Sequence, residues 1–325
     1  MQTVAVLLAG GGGTRLYPAS RPDRPKQFLA FGDGPSLVER TADRTGFADR
    51  TYVVTTERYA DQVRETVPEA AILVEPQARD TGPALVYAAH RIREAVGDCV
   101  LACLPTDHYV EGAVTETLSA ATRVAAESDA LVTIGVDPDR PATGYGYIEP
   151  GPSIADGAAR RVVAFHEKPG ADTASTYVDD GWLWNAGMFA WTPSALLAAA
   201  RDSPLSGLVD ALAADHPIAG FEAAPAMSID HAVLESAEDV AVVPAGFAWD
   251  DVGSWDAVAR VFGTELAPHS TRIDSPDTVT AADDDHHIAV LGVEDLVVAA
   301  YDGRVLVCPR EDAERVKELV ATRTE

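Results

Sequence analysis

Short apolar runs that alternate with helical patterns are the feature that most limits how this chain can fold. VAVLLA (4–9), TYVVTT (51–56), AILVEP (71–76) and CVLACLP (99–105) are unbroken β-rich runs, as strands covered on both faces should be. Between them lie SLVERTADR (36–44), ERYADQVRETV and TGPALVYAAHRIREA, all with helical spacing, and Ser36 and Glu39 stand in capping-box spacing. Strand–helix alternation predicts an α/β fold built on a mostly parallel, doubly wound sheet with right-handed crossovers. Ligands in such sheets bind beyond the carboxyl ends of the strands. The second half is mixed. ALVTIGV (130–136), YGYIEP, RRVVAFHEKP and MFAW read as strands, with TPSALLAAARD and MSIDHAVLESA as helices. DVAVVPAGFAWDDVGSWDAVARVF reads as a strand, a loop and a helix. After about residue 265 short β runs (HHIAVLG, DLVVAAYDG, RVLVCP) lead to a terminal helix, EDAERVKELVA. The expected division is therefore a large domain over 1–265 and a small β segment with its helix over 266–325.

Charge narrows the function. Asp and Glu total 51 against 25 Lys and Arg, a net charge of −26 at pH 7. Such a surface repels nucleic acid and anionic membranes, so neither is expected as a partner. Only Lys26, Lys168 and Lys317 are lysines. Acid excess with arginine in place of lysine resembles proteins of salt-loving organisms, and a halophilic protein is expected. No stretch long enough to span a bilayer is free of charge. The N-terminus lacks a basic n-region and runs straight into a glycine loop, so it reads as a first strand of a cytoplasmic protein. Cys99, Cys103 and Cys308 are too few for a disulfide scaffold. Cys99 and Cys103 share one face of a strand, where packed thiols are expected rather than a metal pair. The acidic run Asp283–Asp285 beside His286 and His287 reads as a solvated loop.

The first apolar run ends in AGGGGTRL (9–16). Glycines allow turns that aim successive N–H groups at one anion, and a phosphate is the natural occupant. A Walker A loop is excluded because Thr14-Arg15 replaces its Gly-Lys pair. The dinucleotide fingerprint fails as well, since Arg15 stands where its third glycine belongs, counting from Gly10. The continuation, TRLYPASRPDRPKQFLAF (14–31), crowds Arg15, Arg21, Arg24 and Lys26 beside the loop, and prolines at 18, 22 and 25 stiffen it. Four cations against an acidic background point to a polyphosphate ligand.

AGGGGTRLYPASRPDRPKQFL resembles the signature of nucleotidyltransferases that activate sugar 1-phosphates, in the PKQFL version typical of mannose-1-phosphate guanylyltransferases. The resemblance continues through EPQARDTGPAL (75–85), LPTDH (104–108), TGYGYIE (143–149), FHEKP (165–169), WNAGMF (184–189), SIDHAVLE (228–235) and WDDVGSW (249–255). IAVLGVEDLVV and VLVCPREDAERVKEL resemble that family's C-terminal segment. The resemblance implies the nucleotidyltransferase fold, Rossmann-like and GT-A-like, with the C-terminal segment forming part of a left-handed β-helix. It implies attack by a phosphate oxygen of mannose 1-phosphate on the α-phosphorus of GTP, giving GDP-mannose and pyrophosphate with Mg2+ as cofactor. The nucleophile is already anionic, so catalysis should rest on alignment and charge neutralisation rather than on a serine or cysteine nucleophile.

Residue by residue, the resemblance assigns Asp107 and Asp251 to the metal. Asp250 is the adjacent competitor, with a helix N-cap as its alternative role. Arg15, Lys26 and Asp107 are the implied catalytic set. The implied nucleotide site comprises Leu8, Gly10, Gly11, Gly12, Gly13, Thr14, Arg15, Lys26, Glu75, Arg79, Asp80 and Thr81. Asp80 sits where relatives often carry asparagine, which bears on base selectivity. Gly146, Glu167, Lys168, Asn185 and Gly187 match the sugar-phosphate site, with Lys168 on the phosphate and Glu167 on sugar hydroxyls. His108 and His166 are expected to pack or hydrogen-bond, and Trp182 and Trp184 to be core aromatics. The long extension that bifunctional relatives use for mannose-6-phosphate isomerisation is not expected, and the C-terminal strands make a homodimer contact plausible. The alternatives are the same chemistry on another pair, such as glucose 1-phosphate with dTTP or UTP, or a non-catalytic regulator that binds GDP-mannose. An NAD-dependent dehydrogenase fails on glycine spacing.

Overall fold

A computed structural model describes residues 1–32 and 34–322. The chain forms two compact units. One comprises Met1–Gly10, Thr41–Pro105 and Val110–Trp249; the other comprises Gly11–Arg40, Thr106–Tyr109 and the chain from Asp250 onward.

The first unit holds strands β1 (Gln2–Leu8), β2 (Arg50–Thr56), β3 (Ala71–Glu75), β4 (Cys99–Pro105), β5 (Tyr109–Gly112), β6 (Leu131–Val136), β7 (Gly146–Ile154), β8 (Ala159–Glu167), β9 (Leu183–Trp191), β10 (Val240–Pro244) and β11 (Phe247–Asp250). Nine of them form one sheet in the order β3-β2-β1-β4-β9-β6-β10-β8-β7. The half that carries the expected helical crossovers is parallel: β1 pairs with β2 and β4, and β2 with β3. β9 runs antiparallel between β4 and β6, and β7 and β8 form an antiparallel hairpin. Val4, Ala5, Val6 and Leu7 are all fully buried, which is why β1 shows no polar alternation. Helix Thr81–Val96 lays Leu85, Val86, Ala89 and Ile92 into the same cluster as Val6, Leu101 and Trp191. Each such large side chain contributes about 1.5–3 kcal/mol by leaving water. Cys99 and Cys103 are buried free thiols in β4.

Three elements differ from the sequence reading. The expected strand MFAW is the end of a nine-residue strand, β9. Asn185 and Gly187 look like turn residues, but a register shift against β6 and a positive φ of 66° at Gly187 accommodate them inside the strand. The helix expected over MSIDHAVLESA is instead a wide π-helical turn, Asp230–Leu234, with Glu235 N donating to Asp230 O at 2.9 Å. Outside bonds hold its leading end: Ile229 N donates to Thr81 Oγ1 at 3.0 Å, and Gly82 N to Met227 O at 3.0 Å. The loop expected after the strand of DVAVVPAGFAWDDVGSWDAVARVF contains a second short strand, β11, set off from β10 at Pro244, which cannot donate to a ladder.

The second unit has its own core. Leu16, Tyr17, Leu29, Phe31 and Leu37 pack with Val252, Trp255, Val279, Val297 and Leu306. Trp255 Nε1 donates to Tyr17 O at 2.9 Å, so the indole is buried without an unpaired donor. Ser36 and Glu39 form the expected capping box, Ser36 N donating to Glu39 Oε2 at 2.8 Å. Strands β12 (Glu265–Leu266), β13 (Ser270–Ile273), β14 (Val279–Ala282), β15 (Ile288–Leu291), β16 (Leu296–Tyr301) and β17 (Arg304–Pro309) follow. β12, β14 and β16 form a parallel ladder, β13 pairs parallel with β15, and β17 closes antiparallel on β16. Ser270 faces Ile288 and Val279 faces Val297, so one spacing serves both ladders, as in the coils of a β-helix. The terminal helix is split into a 3-10 stretch, Arg310–Arg315, and an α-helix, Val316–Ala321. His286 Nδ1 pairs with the Asp283 carboxylate, which also accepts Asp302 N at 2.8 Å, so the acidic loop is tied down internally.

Gly135 of β6 tests how tightly the mixed half of the sheet is packed. A Cβ there would stand 2.6 Å from both Leu183 Cδ1 and Val242 Cγ2. Gly135→Ala is expected to destabilise the protein by about 1–3 kcal/mol through overpacking, measured by urea unfolding.

Candidate active site

The chain leaves the first unit at Gly10, Pro105 and Trp249, and just past each exit stand the residues assigned to phosphates and metal. In the second unit, Gly13 adopts a φ of +53° and opens the 3-10 turn Thr14–Leu16. A Cβ on Gly13 would lie 2.3 Å from Lys26 Cβ, so only glycine lets the loop pass over the lysine stem. Pro25 precedes the 3-10 turn Lys26–Phe28 that sets the lysine in place. Lys26 is 4% exposed, and its ammonium donates to Asp107 Oδ2 at 2.9 Å and to the Asp251 carbonyl. Arg15 lies on the open side, its Nη2 3.9 Å from Asp251 Oδ2. Gly11 and Gly12 have open space where a side chain would stand.

Burial pushes the Asp107 carboxyl up, but the Lys26 ammonium and His108 outweigh it and hold the pKa at about 2. Asp107 is therefore a carboxylate at any working pH. Burial also pulls the His108 pKa down, which keeps its ring from adding positive charge to the site near neutrality.

The two neighbouring aspartates of WDDVGSW are separated by their partners. Asp250 Oδ2 accepts from Arg260 Nη2 at 2.7 Å and Nε at 3.0 Å, and its Oδ1 accepts from Val252 N at 2.8 Å. The helix Trp255–Phe262 is capped by Ser254, whose Oγ accepts from Ala257 N at 3.3 Å; Asp250 lies four residues before that cap and pairs with Arg260 instead. Val252 sits at φ 47°, a left-handed conformation that costs a β-branched residue of order 1–3 kcal/mol. That turn also brings Gly253 N to Asp251 Oδ1 at 3.0 Å. Among the described residues no three His, Cys, Asp or Glu converge to hold a metal by themselves. The Asp107 carboxylate at the Lys26 ammonium and the Asp251 carboxylate beside Arg15 fit a hard divalent ion that keeps water and draws its other ligands from phosphate oxygens, as Mg2+ does.

The first unit carries the remaining assigned residues. At the end of β1, a Cβ on Gly10 would stand 2.9 Å from Glu75 Oε1, so Gly10 allows the close approach of the carboxyl at the end of β3. Glu75 is 6% exposed and its Oε2 has no hydrogen-bond partner. Burial, then the charge of Asp80, raises its pKa to about 7. Asp80 adopts φ 69° and ψ −179°, a region otherwise left to glycine, while its carboxylate accepts Thr81 N at 2.7 Å. Arg79 points elsewhere: its guanidinium donates to Gln77 Oε1 and to the Glu222 carbonyl.

Asp80, Thr81, Glu167, Lys168 and Asp230 line one cleft of about 940 Å3. Lys168, at φ 47°, pairs with Glu167 Oε1 at 2.5 Å. A Cβ on Gly146 would meet Glu167 Oε2 at 2.6 Å, so the glycine leaves that carboxylate room. Asn185 Oδ1 accepts from Thr133 Oγ1 at 2.9 Å and from Gly187 N at 3.1 Å, and its Nδ2 donates to Asp230 Oδ1 at 2.7 Å. Thr133 and Asp230 were not among the residues the sequence assigned to the site; Asp230 stands in SIDHAVLE, a stretch read only as a helix and as part of the family resemblance. His166 bonds Tyr177 OH at 2.6 Å, Trp182 stacks on Tyr177, and Trp184 is buried.

The fold and this site define a class of enzyme. Residues 4–267 match the nucleotidyl transferase family model, and the chain belongs to that family. Residues 269–322 match the MannoseP isomerase/GMP-like beta-helix domain. The chain is 36% identical to the xanthan biosynthesis protein XanB of Xanthomonas campestris pv. campestris (strain B100), over 97% of this chain and 72% of that protein. It is 33% identical to the mannose-1-phosphate guanylyltransferase of Sinorhizobium fredii, over 98% of this chain and 67% of that one. A crystal structure from Thermus thermophilus, described as a mannose-1-phosphate geranyltransferase, superposes with a TM-score of 0.89 at 34% identity and 99% coverage of both chains.

Glu75 makes stability depend on pH. Its folded pKa of about 7 lies above the ordinary 4.5, so the folded state binds the proton more tightly and loses stability as pH rises between those values. Glu75→Gln should remove that slope. Urea unfolding at pH 5 and pH 8 is expected to show wild type losing about 1–3 kcal/mol more than the variant.

Proposed function

We propose that this protein transfers GMP from GTP to mannose 1-phosphate, producing GDP-mannose and pyrophosphate with Mg2+ as cofactor. The observation that carries the reading is the Lys26 ammonium. In a chain with three lysines, one is buried against Asp107 and the Asp251 backbone, with Arg15 beside the Asp251 carboxylate. A buried cation held by a carboxylate and a backbone carbonyl beside a glycine loop suits a triphosphate.

The nucleophile is a phosphate monoester and arrives already ionised. The glycine loop offers backbone N–H groups to the phosphates, and Arg15 can grip two oxygens at once. Lys26 brings a point charge to the oxygens that gain charge in the transition state. Asp107 and Asp251 would hold Mg2+, whose chemistry there is to neutralise phosphate charge. The unpaired Glu75 Oε2 suits guanine, which presents two adjacent N–H donors, whereas uracil and thymine present one between carbonyls. Glu167, Lys168 and Asn185 supply acceptors and a cation for the sugar phosphate. Residues 1–265 then act as the catalytic domain and 266–325 as an appended β segment, whose edge strand β17 exposes Val305 and Val307 to a second copy. The acidic, lysine-poor surface fits a cytoplasm rich in salt. Among the described residues no helix is long and apolar enough to cross a membrane.

Pyrophosphate release across GTP, dTTP and UTP with mannose or glucose 1-phosphate is the test. GTP with mannose 1-phosphate is expected to exceed every other pair at least tenfold, and EDTA to abolish turnover. Arg15→Ala and Asp107→Asn should each lower kcat by about 100-fold or more, the scale expected when one charge-stabilising group is lost. Full turnover by Asp107→Asn would leave a non-catalytic sensor as the better reading. Removing salt should lower both activity and stability; indifference to salt would contradict the halophilic part.

A further inference from the structure

We propose that Asp230 is a specificity-determining residue of the sugar subsite: its carboxylate locks the Asn185 amide in one orientation and, with Glu167, supplies the acceptors for adjacent sugar hydroxyls. This deepens the assignment of a sugar 1-phosphate to that cleft and rests on it.

The orientation of Asn185 is fully determined by its partners. Thr133 Oγ1 and Gly187 N both donate to Oδ1, at 2.9 and 3.1 Å, which uses both acceptor positions of that oxygen. Asp230 Oδ1 takes one Nδ2 hydrogen at 2.7 Å, and the second remains for a ligand. A flipped amide would set its NH2 against the Gly187 N–H and its oxygen against a carboxylate. Asp230 therefore fixes the Nδ2 side of Asn185, as Gly187 N and Thr133 fix its oxygen.

Asp230 is itself held in place. It opens the π-helical turn, and such turns cluster at functional sites. The preceding residue is tied through Ile229 N to Thr81 Oγ1 at 3.0 Å. Its carboxylate lines the same cleft as Glu167, and only one of its oxygens is used by Asn185. Burial, then the charge of Glu167, raises its pKa to about 6. Two carboxylates facing one cleft repel each other, and that cost is offset when donors enter between them. A sugar that donates adjacent hydroxyls to Glu167 and Asp230 and accepts from Asn185 Nδ2 satisfies both facing carboxylates and the remaining amide hydrogen. Epimers that move one hydroxyl cannot.

The experiment compares wild type, Asp230→Asn and Thr133→Val by initial rates of pyrophosphate release with mannose and glucose 1-phosphates at saturating GTP. Wild type alone decides the underlying reading: if it turns over neither sugar phosphate, that reading fails. Where it prefers one epimer, Asp230→Asn is expected to lower the preference in kcat/KM at least tenfold. The sugar phosphate KM should rise while KM for GTP stays within about twofold. Thr133→Val removes one donor to Asn185 Oδ1 but leaves Asp230 and the Gly187 N–H in place, so its preference should stay within about twofold of wild type. A purely structural Asp230 would lower the melting temperature and leave sugar preference unchanged, which overturns the proposal. Should Asp230→Asn fail to fold, Asp230→Ser is read in its place, and an unchanged preference there overturns the proposal equally.

Discussion

The Lys26 ammonium is the interaction on which the phosphate-handling end depends. It is buried, and it bonds the side chain of Asp107 and the backbone of Asp251. A lone buried ammonium would be expelled or neutralised, so the carboxylate and the carbonyl are what allow it to stay. In return it holds together two chain segments far apart in sequence, and it keeps Asp107 ionised. Gly13 follows from the same packing, since any side chain there would collide with the lysine stem.

Each unit accepts local strain. Val252 and Asp80 hold backbone conformations that side chains disfavour, and both flank residues assigned to ligand. Each is fixed by bonds on either side: Asp250 accepts the Val252 N–H, and Asp80 caps the helix at Thr81. Asp250, engaged by Arg260 and by Val252 N, is a scaffold for the turn that carries Asp251.

Much of the fold was legible because its driving forces are local. The both-face burial of β1 and β4 leaves unbroken apolar runs, and the glycine loop with its cations stands out against an acidic chain. What escaped depends on long-range pairing. β9 hides Asn185 and Gly187 inside a strand because β6 shifts its register beside them. Asp230 reaches Asn185 across 45 residues, from a π-helical turn that helical spacing cannot distinguish from an α-helix. Asp250 is tied instead to Arg260, ten residues on, in an ion pair that no local pattern announces.

The central claim is that Lys26 and Asp107 act as one unit on the triphosphate. A double-mutant cycle in kcat/KM with Lys26→Met and Asp107→Asn measures this directly. If they form one unit, each single variant loses about 100-fold or more and the double variant loses little beyond the worse single one. Losses that simply multiply, or a Lys26→Met enzyme with full turnover, would contradict it.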